Sequence, residues 1–275
     1  MLDGAAAVGV PPRPPARGGQ EGLFTLRGEL PKDLPSGPLF DYELKLEQEQ
    51  FYLFVPPNYR GRQAFGLIAF VNAADQMSVP PDWKKVLAAR KLLYIAPQNV
   101  GNNQPVPRRA IATVVAIRKM MELHKVDPQR VYVTGHSGGA KVACLVAFAQ
   151  PDLIQGVLPM CGFLFPQAGQ QDKERLEKVK SQIGFALITG SKDFNHQFIV
   201  ADYNEKLVSA KYRATLFDVP GMGHQIAPGQ TLNAALNWLE SRNAPPPVDK
   251  RAKPAKPKAE KREIQKKDGD EEETK

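Results

Sequence analysis

Cysteine is almost missing from this chain, at two residues in 275. Cys144 and Cys161 are too few to staple a fold together, and both stand in apolar surroundings ("VACLVAF", "VLPMCGF"). They read as buried thiols, with a bridge between them left open. Histidine is also scarce, at four residues, and no His or Cys pair shows metal-ligand spacing, so no metal is expected. A glycine-rich dinucleotide fingerprint is missing too, and no organic cofactor is expected. No apolar run approaches the length of a transmembrane helix, which argues against a membrane span. The opening "MLDGAAAVGVPPRPPARGG" has an acidic residue near its start and no apolar stretch of signal-peptide length. Secretion or a periplasmic location is expected only if a leader has been removed.

What is present supports one folded unit. A chain of 275 residues that is 42% hydrophobic can bury one sizeable core. The formal charge of +8 suggests an anionic partner only if the basic residues share a folded face. Residues 249–275 hold ten Lys or Arg against eight Asp or Glu, and no basic stripe marks the rest, so no specific nucleic acid is expected. Residues 1–37 are rich in Pro, Gly and Arg without periodicity, and from 244 to 275 a proline-spaced basic block precedes an acidic one. Neither end can bury enough apolar area to offset the entropy of ordering, so both read as unordered. One domain is expected over residues 38–243.

Within that span, short apolar runs recur at 66–71, 92–97, 131–135, 156–162, 185–190 and 214–221. Runs that do not alternate with polar residues suit parallel strands covered on both faces. Ahead of them, the alternation of Tyr42, Leu44 and Leu46 with charges, followed by the run Phe51 to Val55, predicts a strand pair at a sheet edge. Helical periodicity follows Pro107 through Ile111, Val114, Ile117 and Met121, and further helices are expected after Ser137, over about 195–210 and over about 231–241. The alternation predicts an α/β fold, a doubly wound, mostly parallel sheet.

In such sheets ligands bind at the carboxyl ends of the strands, which directs attention to "VYVTGHSGGAKVA" at 131–143. Gly135 and Gly139 flank Ser137 two positions either side, as a sharp strand-to-helix turn requires. The Ser137 hydroxyl would then stand exposed at a helix head, where the Gly138 amide and the helix dipole stabilise negative charge on an attacked carbonyl. A phosphate loop is excluded, since Ala140 and Val142 replace its glycine and its magnesium-binding hydroxyl.

A serine nucleophile needs an imidazole. His124 belongs to a helix stripe, His136 sits on the turn and points along it, and His196 shares the loop of Asp193. His224, after the last apolar run in "DVPGMGHQ", is left as the base. Asp193, in "LITGSKDFNH" beyond the penultimate run, falls between serine and histidine in chain order, with a helix N-cap as its alternative role and Asp218 as its rival.

With serine, acid and base in this order, the chain resembles the α/β-hydrolase superfamily, and within it esterases similar to polyhydroxybutyrate depolymerases and feruloyl esterases. The resemblance covers about residues 40–242 and rests on "VDPQRVYVTGHSGGAKVA", "TGSKDFNH" and "VPGMGH". It implies Ser137, Asp193 and His224 as a catalytic triad, ester hydrolysis through an acyl-enzyme, and a small or polymeric ester as substrate. Many such enzymes carry a His-Gly pair after the third strand, where this chain reads "AFVNAADQ". The second oxyanion donor is expected from the Ala73 amide beside that of Gly138, with Asn72 as the other candidate. Gln98, Asn99, Asn102 and Asn103 cluster after the fourth run and are expected to contact substrate oxygens, a polar surface loop being the alternative. Two other functions stay open: a catalytically weak hydrolase-like binding module and a peptidase of related fold.

Overall fold

The computed structural model describes residues 18–166 and 172–241. A single eight-stranded sheet runs through them in the order β1-β2-β4-β3-β5-β6-β7-β8. The strands are β1 Glu21–Thr25, β2 Gln50–Phe54, β3 Phe65–Val71, β4 Leu92–Pro97, β5 Val126–His136, β6 Gly156–Met160, β7 Gly184–Gly190 and β8 Ala214–Val219. Pairing is parallel from β4 through β8 and antiparallel where β2 meets β1 and β4.

Successive residues of one strand serve opposite cores, which is why the runs do not alternate in polarity. Leu67, Ala69 and Val71 of β3 face one core with α2 (Val106–Leu123) and α3 (Gly138–Ala149). Ile68 and Phe70 face the other, which is closed by Trp83 and Leu87 of α1 (Pro81–Ala89) and by Leu232 and Leu236 of α6 (Gly229–Glu240). Each large side chain buried this way contributes about 1.5–3 kcal/mol, so the helices are held by their inner faces. Pro80, Pro105 and Pro228 immediately precede α1, α2 and α6, and the Gly229 amide that opens α6 donates to Asp82 Oδ2 of α1.

The structure departs from the sequence reading in several places. Glu21–Thr25, expected within the unordered lead, pairs with β2 as the edge strand β1, in register from Glu21 opposite Phe54 to Thr25 opposite Gln50. Backbone hydrogen bonds to a neighbouring strand order this segment although its side chains are mostly exposed. Tyr42, Leu44 and Leu46 do not form a strand. Leu44 and Leu46 are buried from an irregular segment that ends in a 3-10 turn at Leu46–Gln48, so their two-residue spacing reflects anchoring rather than pleat. Two helices lie where none was expected, α1 and α4 (Lys173–Gln182). α4 buries only Val179 and is started by Asp172, whose side chain accepts from the Glu174 amide at 3.1 Å. The expected helix over 195–210 is α5 (His196–Asp202) continued by a π-helical turn at Tyr203–Val208. Residues 1–17 and the charged segment 244–275 lie outside the described residues.

Candidate active site

The site lies at the carboxyl ends of β5, β7 and β8. β5 ends at His136, and Ser137 takes φ 56° and ψ −121° before α3 begins at Gly138. For a residue with a side chain this backbone costs about 1–3 kcal/mol and persists only where surroundings impose it. Here they do. A Cβ on Gly135 would stand 2.6 Å from the Gly139 carbonyl and from Val71 O, so the strand, the turn and the end of β3 interlock through bare backbone. The Ser137 amide donates to Met160 O at 2.8 Å, and the loop after β6 closes over the turn, where a Cβ on Gly162 would collide with Ser137 O.

Asp193 and His224 are brought together by two laced loops. Asp193 follows β7 and is 5% exposed, with its amide donating to Gly190 O at 2.8 Å. The Lys192 amide donates to Met222 O at 3.0 Å, and the Gly221 amide to Ser191 Oγ at 2.8 Å. Gly190 permits this approach, since a Cβ there would collide with Met222 O. The result is a 2.8 Å hydrogen bond between His224 Nδ1 and Asp193 Oδ1. Thr189 Oγ1 donates to the second carboxylate oxygen at 2.9 Å, and the Asn195 amide donates to Oδ1 at 3.0 Å. Burial pushes the Asp193 carboxyl up, but the hydrogen bonds from His224, Asn195, Thr189 and Cys161 outweigh it and hold the group below the usual carboxylate range. Asp193 therefore orders the chain ahead of α5 and orients the imidazole at once. Among the described residues, the ring's hydrogen bond is to Asp193 alone.

The remaining histidines sort as follows. His196 Nε2 pairs with Asp218 Oδ2 at 3.0 Å, so the rival acid and a rejected base partner each other on the surface. His124 is 7% exposed at the end of α2, where burial lowers it to about 4. The His136 ring, read from the sequence as pointing along the turn, lies 4.8 Å from the His224 ring.

The oxyanion side differs more from expectation. The Ala73 amide, expected as the second donor, donates to Asn72 Oδ1 at 2.9 Å. Asn72 is buried and structural: its Nδ2 donates to Gln76 O at 2.9 Å, and its carbonyl accepts from Arg109 Nη2 at 2.9 Å. Gln98 is likewise consumed by backbone, accepting from the Met77 amide and donating to Met77 O and Ala96 O. Asn99, at φ 54°, turns the chain, its amide donating to Asp75 O at 2.6 Å. Asn102 does reach the site: its amide donates to Ala73 O at 2.8 Å, and its carboxamide packs over Gly138 with Oδ1 nearest to where a Cβ on that glycine would be and Nδ2 at 3.1 Å.

Two neighbours escaped the sequence reading. Phe194, 71% exposed, stacks on the His224 ring at 4.0 Å and 26°. Cys161, at φ 54°, directs its thiol to Gln225 O at 3.3 Å and Gly223 O at 3.7 Å, under the His224 loop. The place of each directly beside a motif residue or strand end was the available signal. A cleft of about 780 Å³ opens at the amino ends of β5 to β8, lined by Asp127, Arg130 and Arg213 among others; it is at the wrong end of the strands for Ser137. None of the described helices is long and apolar enough to cross a membrane.

No protein-family model and no curated protein sequence matches the chain. Solved structures do. An S-formylglutathione hydrolase from Staphylococcus aureus is 13% identical, with 70% of this chain and 92% of that one covered at a TM-score of 0.55. A thermostable esterase is 18% identical, with 70% and 59% covered at 0.50, so this chain spans under two thirds of its length. Est1E from Butyrivibrio proteoclasticus is 15% identical, with 70% and 92% covered at 0.50. Together with the strand order and the serine-bearing turn after β5, these likenesses establish that the chain has the α/β-hydrolase fold.

Proposed function

We propose that this chain hydrolyses carboxylic esters by way of an acyl-enzyme, with Ser137 as nucleophile, His224 as general base and acid, and Asp193 as the group that orients the imidazole. The observation that carries the reading is the 2.8 Å bond from His224 Nδ1 to a buried carboxylate, with the His224 ring 4.8 Å from that of His136, the residue that precedes Ser137 in its strained turn. Nδ1 donates to Asp193, which leaves Nε2 as the lone-pair nitrogen. Nε2 takes the Ser137 proton as Oγ attacks the ester carbonyl, then passes it to the departing alkoxide. Water repeats the sequence in reverse and frees the acid. The Asp193 carboxylate stabilises the imidazolium formed at each stage.

The tetrahedral oxyanion is received by the amide of Gly138, the first residue of α3, whose N–H has no partner within the helix. With the Ala73 amide bonded to Asn72 Oδ1, we assign the second donor to the Asn102 carboxamide, whose Nδ2 meets the oxyanion once the group turns its Oδ1 away from Gly138. Two of the solved structures that resemble this chain are called a hydrolase and an esterase, which agrees with the proposal without carrying it. A catalytically weak hydrolase-like module is the second reading, favoured by that engaged amide. Turnover of a p-nitrophenyl ester decides between them. Wild-type protein is expected to hydrolyse it, and Ser137→Ala and His224→Ala are each expected to lose several orders of magnitude, with the double variant scarcely worse than either.

A further inference from the structure

We propose that His136, Cys161 and His224 form a binding site for a thiophilic divalent cation such as Zn²⁺, and that filling it switches the catalytic site off. Binding depends on the three side chains alone, whereas the loss of activity rests on the proposed role of His224. The chain brings one ligand from the end of β5, one from the loop after β6 and one from the loop after β8, and their ligand atoms all lie within 4.8 Å of one another. Tetrahedral zinc holds such atoms roughly 3.5 Å apart, given Zn–S and Zn–N bonds of about 2.3 and 2.1 Å. The site must therefore contract by about 1 Å. Beside His224 the loop is open at Gly223, where nothing lies within 4 Å of an added Cβ.

Each side chain offers an atom of the kind that suits a soft cation. His136 Nε2 is buried and has no hydrogen-bond partner among the described residues, which is costly to leave so. Burial, and secondarily His224, push that ring below the usual histidine range. The Cys161 thiol hydrogen-bonds the Gln225 and Gly223 carbonyls and the Asp193 carboxylate, and burial followed by the Asp193 charge pushes it up to about 12. A cation supplies the positive charge that lets it ionise: the S–H bond breaks, the S–metal bond forms, and one proton leaves to solvent. Sulfur and imidazole donors select zinc-like ions over Mg²⁺ or Ca²⁺. His224 loses its catalytic use whichever nitrogen coordinates. Through Nδ1 it gives up the hydrogen bond to Asp193, and through Nε2 it gives up the lone pair that takes the serine proton.

Co²⁺ is the probe that reads this site without reference to catalysis. Added to the full chain, it is expected to produce a thiolate-to-cobalt charge-transfer band and tetrahedral d–d bands, both displaced by Zn²⁺. Cys161→Ser should lose the charge-transfer band, and His136→Gln should weaken Zn²⁺ at least tenfold in competition with a chromophoric chelator; Cys161→Ala replaces the serine variant should that one melt abnormally. Ester turnover of the wild type should fall in proportion to zinc occupancy. No charge-transfer band in the wild type, or equal zinc affinity in wild type and both variants, overturns the site. Undiminished turnover at full occupancy overturns the switch. A cobalt band in a protein that hydrolyses no ester leaves the site standing and removes the proposed function instead.

Discussion

Gly135→Ala places one methyl group where β5, the serine turn and β3 meet. Its Cβ would stand 2.6 Å from Gly139 C, Gly139 O and Val71 O, against ordinary contacts that begin at 3.4 Å, so the three must part by about 0.8 Å. All three are backbone atoms with no rotamer to change. Overpacking of this kind costs about 1–3 kcal/mol, and rigid backbone on two sides argues for the upper end. The loss of unfolded-chain freedom returns about 0.4–1 kcal/mol, leaving a net cost of about 2 kcal/mol. For a unit of this size that lowers the melting temperature by roughly 4–8 °C. Differential scanning calorimetry measures it, with urea unfolding as a second reading. Gly223→Ala is the control, since nothing lies within 4 Å of its Cβ and it should melt close to wild type. A Gly135→Ala protein that melts within about 2 °C of wild type would mean that the turn is not locked by backbone contact, and the account of how Ser137 is held would be wrong.

Other perturbations separate the remaining assignments. Asn102→Ala should lower kcat about a hundredfold with little change in KM if Nδ2 meets the oxyanion, and Ala73→Pro, which deletes an amide already engaged, should then leave kcat within a few fold provided it melts normally. The reverse pattern returns the role to Ala73. His124 is depressed to about 4 by burial, so the stability it contributes is complete above its unfolded value near 6.5 and is lost as pH falls towards 4. His124→Leu should therefore remove about 2 kcal/mol of the destabilisation that wild type suffers between pH 7 and pH 5, as read from urea unfolding at both. Identical pH dependence in the two proteins would show that His124 is not buried as a neutral ring.

How much of this was legible in the sequence follows from what each signal depends on. The six apolar runs from 66 to 221 hold the parallel strands because burial on both faces leaves a mark in composition that needs no partner to read. β1 carried no such mark: its side chains are mostly exposed, and its order comes from hydrogen bonds to β2 that composition cannot register. α4, with Val179 as its only buried residue, was invisible for the same reason. At the site, Gly135, Ser137 and Gly139 were readable because the tight turn excludes side chains locally. The bond between Asp193 and His224, 31 residues apart, was reachable through chain order and strand ends. The amides were not. Gln98, Asn99 and Asn102 look alike in sequence, yet one pins a loop, one turns the chain and one packs over Gly138, a distinction made by backbone geometry alone. The meeting of His136, Cys161 and His224 depends on one strand end and two separate loops and leaves no spacing to recognise.

The central claim is that Ser137 is a nucleophile activated through His224 and Asp193, and one measurement addresses it most directly. The full chain is incubated with a fluorophosphonate, and the intact mass and the modified peptide are determined. The account predicts a single stoichiometric adduct on Ser137, absent from Ser137→Ala and formed far more slowly by His224→Ala at the same fold stability. An unmodified protein, or an adduct on another residue while ester turnover persists in Ser137→Ala, would contradict it.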